Sequence, residues 1–371
     1  MKKRITILKG DGIGPGIVSQ ALKVLESVNQ RFGHSFELDH QLIGASSIDQ
    51  TGKPLSEEAL HSCKQSDAVI LGAIGDPKYD NDPSATVRPE QGLLALRKEL
   101  ELFSNIRPLE VQNQLIDQSP LQEDRITGVD LIIYRELTGG IYFGEKSLSK
   151  DGNTASDGCI YTRDEITRIA VPAFQAAKGR RGKLTLVDKA NVLETSRLWR
   201  KVVQEISADY PEVEVDYLFV DNAAMQMVLN PSQFDVILTE NMFGDIISDL
   251  ASVIGGSIGL LPSSSIGSSN TMFEPIHGSY PQAAGLDIAN PMATILSVAM
   301  MYDYFELHEE AKCIRDAVDW AISNGFVTID LDPIEGISCS KCGDMISLYI
   351  EEHGSVNLNV VAIAEAKNSM I

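Results

Sequence analysis

Six short runs rich in β-branched residues recur along this chain, and each has a glycine or a polar residue at its C-terminal edge. They are RITILKG (4–10), DAVILGAIG (67–75), GVDLIIYRE (128–136), KLTLVDKA (183–190), VEVDYLFVD (213–221) and FDVILTEN (234–241). Amphipathic segments that read as helices lie between them, from about Ile17 to Phe32, over Asp164–Ala177 and over Thr195–Ala208. Strand alternating with helix predicts an α/β protein. At 371 residues the chain is long for one hydrophobic core, so two domains are expected. In such sheets chemistry collects beyond the C-terminal ends of the strands. That draws attention to Arg135, Lys189, Asp221 and the helix after Glu240. The Gly/Ser-rich segment 146–158 reads as a flexible arm.

Charge narrows the partners. A net charge of −21 repels nucleic-acid phosphates, so no nucleic-acid partner is expected, and an anionic substrate needs a local cluster of arginines. The stretch between Asp249 and Glu274 is uncharged, but Pro262 and repeated Ser and Gly rule out a membrane span; the uncharged run Ile288–Tyr302 is too short and reads as a buried helix. MKKR runs into ITILKGDG with no apolar leader, and five cysteines form no even framework, so a reducing cytoplasm is expected. Cys339 and Cys342 make half a zinc ribbon without a second pair, and coincidence is the better reading.

Three familiar motifs fail. GDGIGPG lacks G-x-G-x-x-G spacing in both registers, meeting Pro15 or Ile17 where glycine is required, so this is no ordinary Rossmann loop. GGSIG (255–259) fits a nucleophile elbow, but a helix precedes Ser257 where a strand is needed, which counts against a hydrolase. GGIYFGEKS (139–147) has one residue too many before Lys146 for a phosphate loop, which counts against a kinase.

In TENMFGDIISDL (239–250), Asp245 and Asp249 sit four residues apart on a helix, within about 40° of each other. Ile246, Leu250, Val253 and Ile254 point to a neighbouring arc that the helix can bury. The like charges repel, and a hard divalent cation turns that cost into a binding site. Taken alone the pair reads as a solvated edge. Arg97, Arg107 and Arg135, in so acidic a chain, suit a substrate with two carboxylates, each met by a planar fork; three surface ion pairs are the bland alternative. Tyr142 follows the Gly139–Gly140 pair, where backbone approaches a ligand closely. Lys189, emerging from a buried strand, suits a general base, or simply snorkels at a sheet edge.

RPEQGLLALRKELELFSNIRP (88–108), RELTGGIYFGE (135–145), VDKANVLETSRLWRK (187–201), TENMFGDIISDLAS (239–252) and FEPIHGSYPQAAGLDIANPMATILS (273–297) resemble the β-decarboxylating dehydrogenases of the isocitrate/isopropylmalate family in order and spacing. The resemblance implies a two-domain fold with a mixed central sheet, a discontinuous first domain of 1–103 and 256–371, and a second of 104–255. It implies a homodimer with shared sites and a nucleotide site built from GDGIGP and EPIHGS. Carried over, Arg97, Arg107 and Arg135 hold the malate carboxylates, and Tyr142 and Lys189 form the acid–base pair. Asp221, Asp245 and Asp249 bind Mg²⁺ or Mn²⁺, with Lys189 and the substrate-facing Asp221 serving the partner's site. Glu90, Leu93 and Leu94 meet the substrate's side group and the nicotinamide. Ile13, Glu90, Asn191, Glu274, His277, Gly278, Ser279, Gln282 and Asn290 surround NAD.

Two leucines cannot satisfy a buried carboxylate, so a malate with an apolar branch, as in leucine biosynthesis, is expected over isocitrate, D-malate or tartrate. Gln282 stands where NAD users of the family carry an acid, so NAD is expected with a reduced margin over NADP. The dimer is expected to use the stripe 246–254 and Leu198, Val202 and Val203 of the helix around TSRLWRK.

Overall fold

The computed structural model describes residues 1–81 and 85–356; the last part of the expected first domain, 357–371, lies outside them. The strands are β1 (Lys2–Gly10), β2 (Ser35–Gln41), β3 (Ala68–Ala73), β4 (Leu102–Glu110), β5 (Asp130–Glu136), β6 (Lys146–Leu148), β7 (Ala155–Asp157), β8 (Lys183–Asp188), β9 (Glu214–Phe219), β10 (Val236–Thr239), β11 (Pro262–Gly267) and β12 (Thr271–Pro275). All six apolar runs are strands. Four strands of the main sheet, β2, β4, β11 and β12, carry no such signal.

Ten strands form one mixed sheet in the order β2-β1-β3-β12-β11-β4-β5-β10-β8-β9. β2, β1, β3 and β12 are parallel to one another, as are β5, β10, β8 and β9. Between them β11 is antiparallel to β12, and β4 is antiparallel to both β11 and β5. Three successive reversals make the two parallel groups run in opposite senses. Chain from both ends of the sequence builds one group, and the middle of the sequence builds the other.

Local chemistry fixes the flanking helices. The helix Gly14–Phe32 begins three residues earlier than expected because Pro15 suits a first turn, where its missing N–H costs nothing. It stops at Gly33, which adopts a left-handed conformation. Ile17, Ala21, Val24 and Val28 pack into one core cluster with the helix Met292–Tyr304, which is the buried helix expected from the uncharged run. Among the described residues no helix is long and apolar enough to cross a membrane.

Two expectations need correcting. Val202 and Val203 do not seek a partner: they are buried in the cluster around Trp199 and Phe174, with Leu198 packed against it. The buried flank of the helix Asn241–Ile254 is Phe243, Ile247, Ala251 and Ile254, whereas Ile246 and Val253 are exposed. The helix therefore turns its acidic edge and an apolar edge outward together. The arm 146–158 is an exposed hairpin, β6 paired antiparallel with β7. Cys339 and Cys342 lie buried as free thiols in the first turn of the helix Cys339–Glu351.

Candidate functional site

A cleft of about 400 Å³ opens beside the middle of the sheet, and its wall gathers much of what the sequence pointed to. Arg97 comes from the last turn of the helix Pro89–Glu99, Arg107 from within β4 and Arg135 from near the end of β5. Glu90, Leu93 and Leu94 line the same wall from that helix, and Tyr142, Asp245, Glu274, His277 and Gly278 complete it. Lys146, which the motif search set aside, also lines the cleft.

The arginines are buried cations with fixed forks. Arg107 donates Nε–H to Asn105 Oδ1 and Nη1–H to Ser248 Oγ, both at 2.6 Å. Arg135, 2 % exposed, donates to the Asn241 carbonyl at 3.0 Å and to Asn241 Oδ1 at 2.9 Å, and pairs with Asp245. Arg97 meets Glu274 at 3.1 Å, and Ser265 donates to the same glutamate oxygen. Burial, and then the nearby Arg135 charge, pull Arg107 down to about 9 from its usual 12.5. Three buried positive charges share two partner carboxylates on this wall, Asp245 and Glu274, with Asp249 3.5 Å from Arg107 at the exposed rim. Such a wall favours an anionic ligand.

Tyr142 donates its O–H to Asp245 Oδ2 at 2.8 Å, with the Arg135 guanidinium 5.8 Å over its ring. Burial, then that hydrogen bond, raises the phenol above its ordinary value, keeping it protonated. Burial works to raise the Asp245 carboxyl, but Arg135, Tyr142 and Arg107 outweigh it and hold it low. Asp249 goes the other way, raised by burial and by the Asp245 charge against the opposing Arg107. A divalent cation held here would relieve the raised Asp249, and hard carboxylate oxygens are the donors that Mg²⁺ and Mn²⁺ take.

Asp221 and Lys189 stand apart. Lys189 follows β8 and donates to Asp221, in the first turn of the helix Val220–Leu229, with Phe219 beneath the ammonium. Neither residue, nor the exposed Asn191 beside them, lines the cleft of its own chain. Among the described residues no group of three acidic, His or Cys side chains is placed to hold a metal. Within one chain the cleft thus has the arginines, the tyrosine and Asp245, with Asp249 at its rim, and lacks Lys189 and Asp221.

A second cavity, about 470 Å³, adjoins the cleft through His277 and Gly278. Ile13 and Asn290 line it as expected. Sequence reading missed Ser257, Ile258, Tyr280, Ile288, Ala289, Ile329 and Asp330, which come from four separate segments that no single motif joins. Ser279 holds the floor through its carbonyl, which accepts the Ile13 N–H at 2.8 Å. A Cβ on Gly12 would stand 2.0 Å from that carbonyl, so only glycine lets the two loops dock. Asp11 accepts from Ala45 N, Ser46 N and Gly75 N, giving this loop its own carboxylate. Among the described residues the buried Nε2 of His277 has no hydrogen-bond partner. Gln282 is exposed and off the cavity wall. Ser257 is no nucleophile: it caps a short 3-10 turn and donates to Asp330.

These features have close counterparts. The family model described as "Isocitrate/isopropylmalate dehydrogenase" matches residues 4–346. A 3-isopropylmalate dehydrogenase of Bacteroides fragilis is 53% identical over 95% of this chain and 100% of its own length. Its counterpart from Aquifex aeolicus is 52% identical over 92% of this chain and 94% of its own. The crystal structure of isocitrate dehydrogenase from Methylococcus capsulatus has a TM-score of 0.84 at 34% identity, covering 94% of this chain and 99% of that one. The chain is an oxidoreductase and belongs to the isocitrate/isopropylmalate dehydrogenase family.

Proposed function

We propose that this enzyme carries out the NAD-dependent oxidative decarboxylation of 3-isopropylmalate, the leucine-pathway step, at sites shared between two copies of the chain in the cytoplasm. The carrying observation is one wall that sets Leu93 and Leu94 beside three buried arginines. Arginines bind the two carboxylates every malate has, and a leucine pair rewards a branched alkyl group while leaving a third carboxylate unsatisfied. The relatives' printed names point the same way.

The cavity fits a dinucleotide's adenosine half. It is large and apolar, with the polar groups of Asn290, Asp330 and the unpartnered His277 Nε2 at its edge. The acidic pair Asp245 and Asp249 fits a divalent metal, with Asp221 of a second subunit as the third oxygen donor. When bound, the nicotinamide accepts the substrate's hydride and the metal polarises its C2 oxygen. The chain's own residues do the rest. Arg97, Arg107 and Arg135 clamp the carboxylates, and Lys189 of the opposite subunit takes the C2 hydroxyl proton. Loss of CO₂ from the resulting β-keto acid leaves an enolate, and the protonated Tyr142 supplies the proton to its carbon. The subunit is read as two domains, 1–103 with 256–371 and 104–255, facing each other across the cleft. The exposed Ile246 and Val253, beside the acidic edge, are the stripe that a second subunit covers.

Purified enzyme with Mg²⁺ and NAD, followed by NADH absorbance, tests the substrate. 3-Isopropylmalate is expected to exceed isocitrate and D-malate in kcat/KM by about 10–200-fold, the value of one or two buried methyl groups. Equal or better kcat/KM with isocitrate overturns the reading.

A further inference from the structure

Tyr280 is held in an unusual state for a large side chain. Its backbone is left-handed, φ 37° and ψ 65°, a region that bulky L-residues rarely occupy. Its neighbours hold it there. The Ser279 carbonyl accepts Ile13 N–H, the Tyr280 carbonyl accepts Ala283 N–H at 3.0 Å, and Pro281 follows. Yet the ring gains little from its own chain: it is 56% exposed, and among the described residues it stacks on no other ring and its hydroxyl has no hydrogen-bond partner. It stands on the wall of the 470 Å³ cavity together with Ile258 and Ile329, which are also exposed apolar side chains. Glycine or asparagine is the ordinary choice for such a backbone, so a tyrosine here points to a ligand.

We infer that Tyr280 covers the adenine ring of the dinucleotide, stacking on it from the solvent side and fixing that end of the cofactor. This rests on the reading that the cavity holds the adenosine half. The wall's chemistry selects the base over the phosphates. Ile13, Ile288 and Ile329 suit a flat apolar face, and Asn290 can meet its polar edge. The Asp330 carboxylate, held by Ser257, Asn290 and Thr328, repels a phosphate.

Calorimetric titration of the purified enzyme with AMP, NMN and NAD, for wild type and for Tyr280→Ala, Tyr280→Phe and Tyr280→Leu, tests this. Tyr280→Ala is expected to weaken AMP and NAD alike by about tenfold or more, the usual effect of removing an aromatic stacking partner from a base. Tyr280→Phe keeps wild-type affinity, Tyr280→Leu falls between, and NMN, which lacks the base, is unaffected throughout. Thermal melting of Tyr280→Ala matches or exceeds wild type, since the side chain is mostly exposed and its removal relaxes a left-handed backbone. Wild-type AMP affinity in Tyr280→Ala, an equal loss for NMN, or a loss in Tyr280→Phe as large as in Tyr280→Ala overturns the inference and leaves the cofactor reading standing. Failure of the wild type to bind either AMP or NAD overturns both.

Discussion

Lys189→Ala enzyme is expected to lose turnover by about two to four orders of magnitude, the usual contribution of a positioned proton acceptor, while NAD affinity changes little. The lysine pairs with Asp221 and lines neither the arginine cleft nor the adjoining cavity of its own chain. In the proposed shared-site dimer its loss is therefore felt in the other subunit's site. Mixing inactive Lys189→Ala subunits with inactive Arg97→Ala subunits then restores activity, because in each heterodimer one site carries both lesions and the other none. Inactivity after verified subunit exchange means that each site is built within one chain. Tyr142→Phe separates the two stages: it spares hydride transfer and slows the later protonation. Wild-type turnover in both Lys189→Ala and Tyr142→Phe removes the acid–base assignment.

Arg135→Met is expected to damage the fold as well as the chemistry, costing about 2–3 kcal/mol of stability. Breaking a buried pair by removing one partner costs about 3–5 kcal/mol; the estimate is lower because Asp245 is about a third exposed. The variant strands the Asn241 carbonyl and side-chain oxygen, which receive the Arg135 fork. It also leaves Asp245 with Tyr142 and a distant Arg107. In the wild type the Asp245 carboxyl is held low, so its stabilisation is present above the ordinary carboxylate pKa and is lost as pH falls below it. That acid-side loss shrinks in the variant, because the folded carboxyl moves toward its unfolded value. Scanning calorimetry across pH reads both effects, and an unchanged Tm with wild-type kcat/KM contradicts them.

Six of the eight parallel strands were legible in the sequence as apolar runs, but the parallel β2 and β12 were not. Nor was β11, whose Ser263, Ser264 and Ser265 are buried. The Ser263 and Ser265 hydroxyls are satisfied by Asn105, the Glu274 carbonyl and the Glu274 carboxylate, so a central strand is polar and shows no hydrophobic period. The arginine cleft was legible because its members sit in contiguous, ordered motifs. Asn241, Ser248 and Asn105, which aim the forks, were not: small polar residues look alike in a loop and in a buried network. Asp245 and Asp249 were legible as a pair, but their helix buries a different flank from the one expected. Its hydrophobic side chains outnumber those one face can hold, and only tertiary packing decides which are covered.

The pairing of β12 with β3 joins residues about 200 positions apart, Met272 with Val69 and Phe273 with Ile70. During synthesis at about 5–20 residues per second, β3 therefore waits about 10–40 s before its second neighbour leaves the ribosome. Over that interval a fully apolar strand presents an open edge, the feature most prone to pair with the wrong chain. The middle of the polypeptide, β4 to β10, has time to fold in the meantime, since each of its strands has a partner already made. Nascent chains released just short of β12 are accordingly the species most in need of a chaperone, and yield in a heterologous host should respond more to translation speed between codons 74 and 272 than to any change in the finished enzyme's stability.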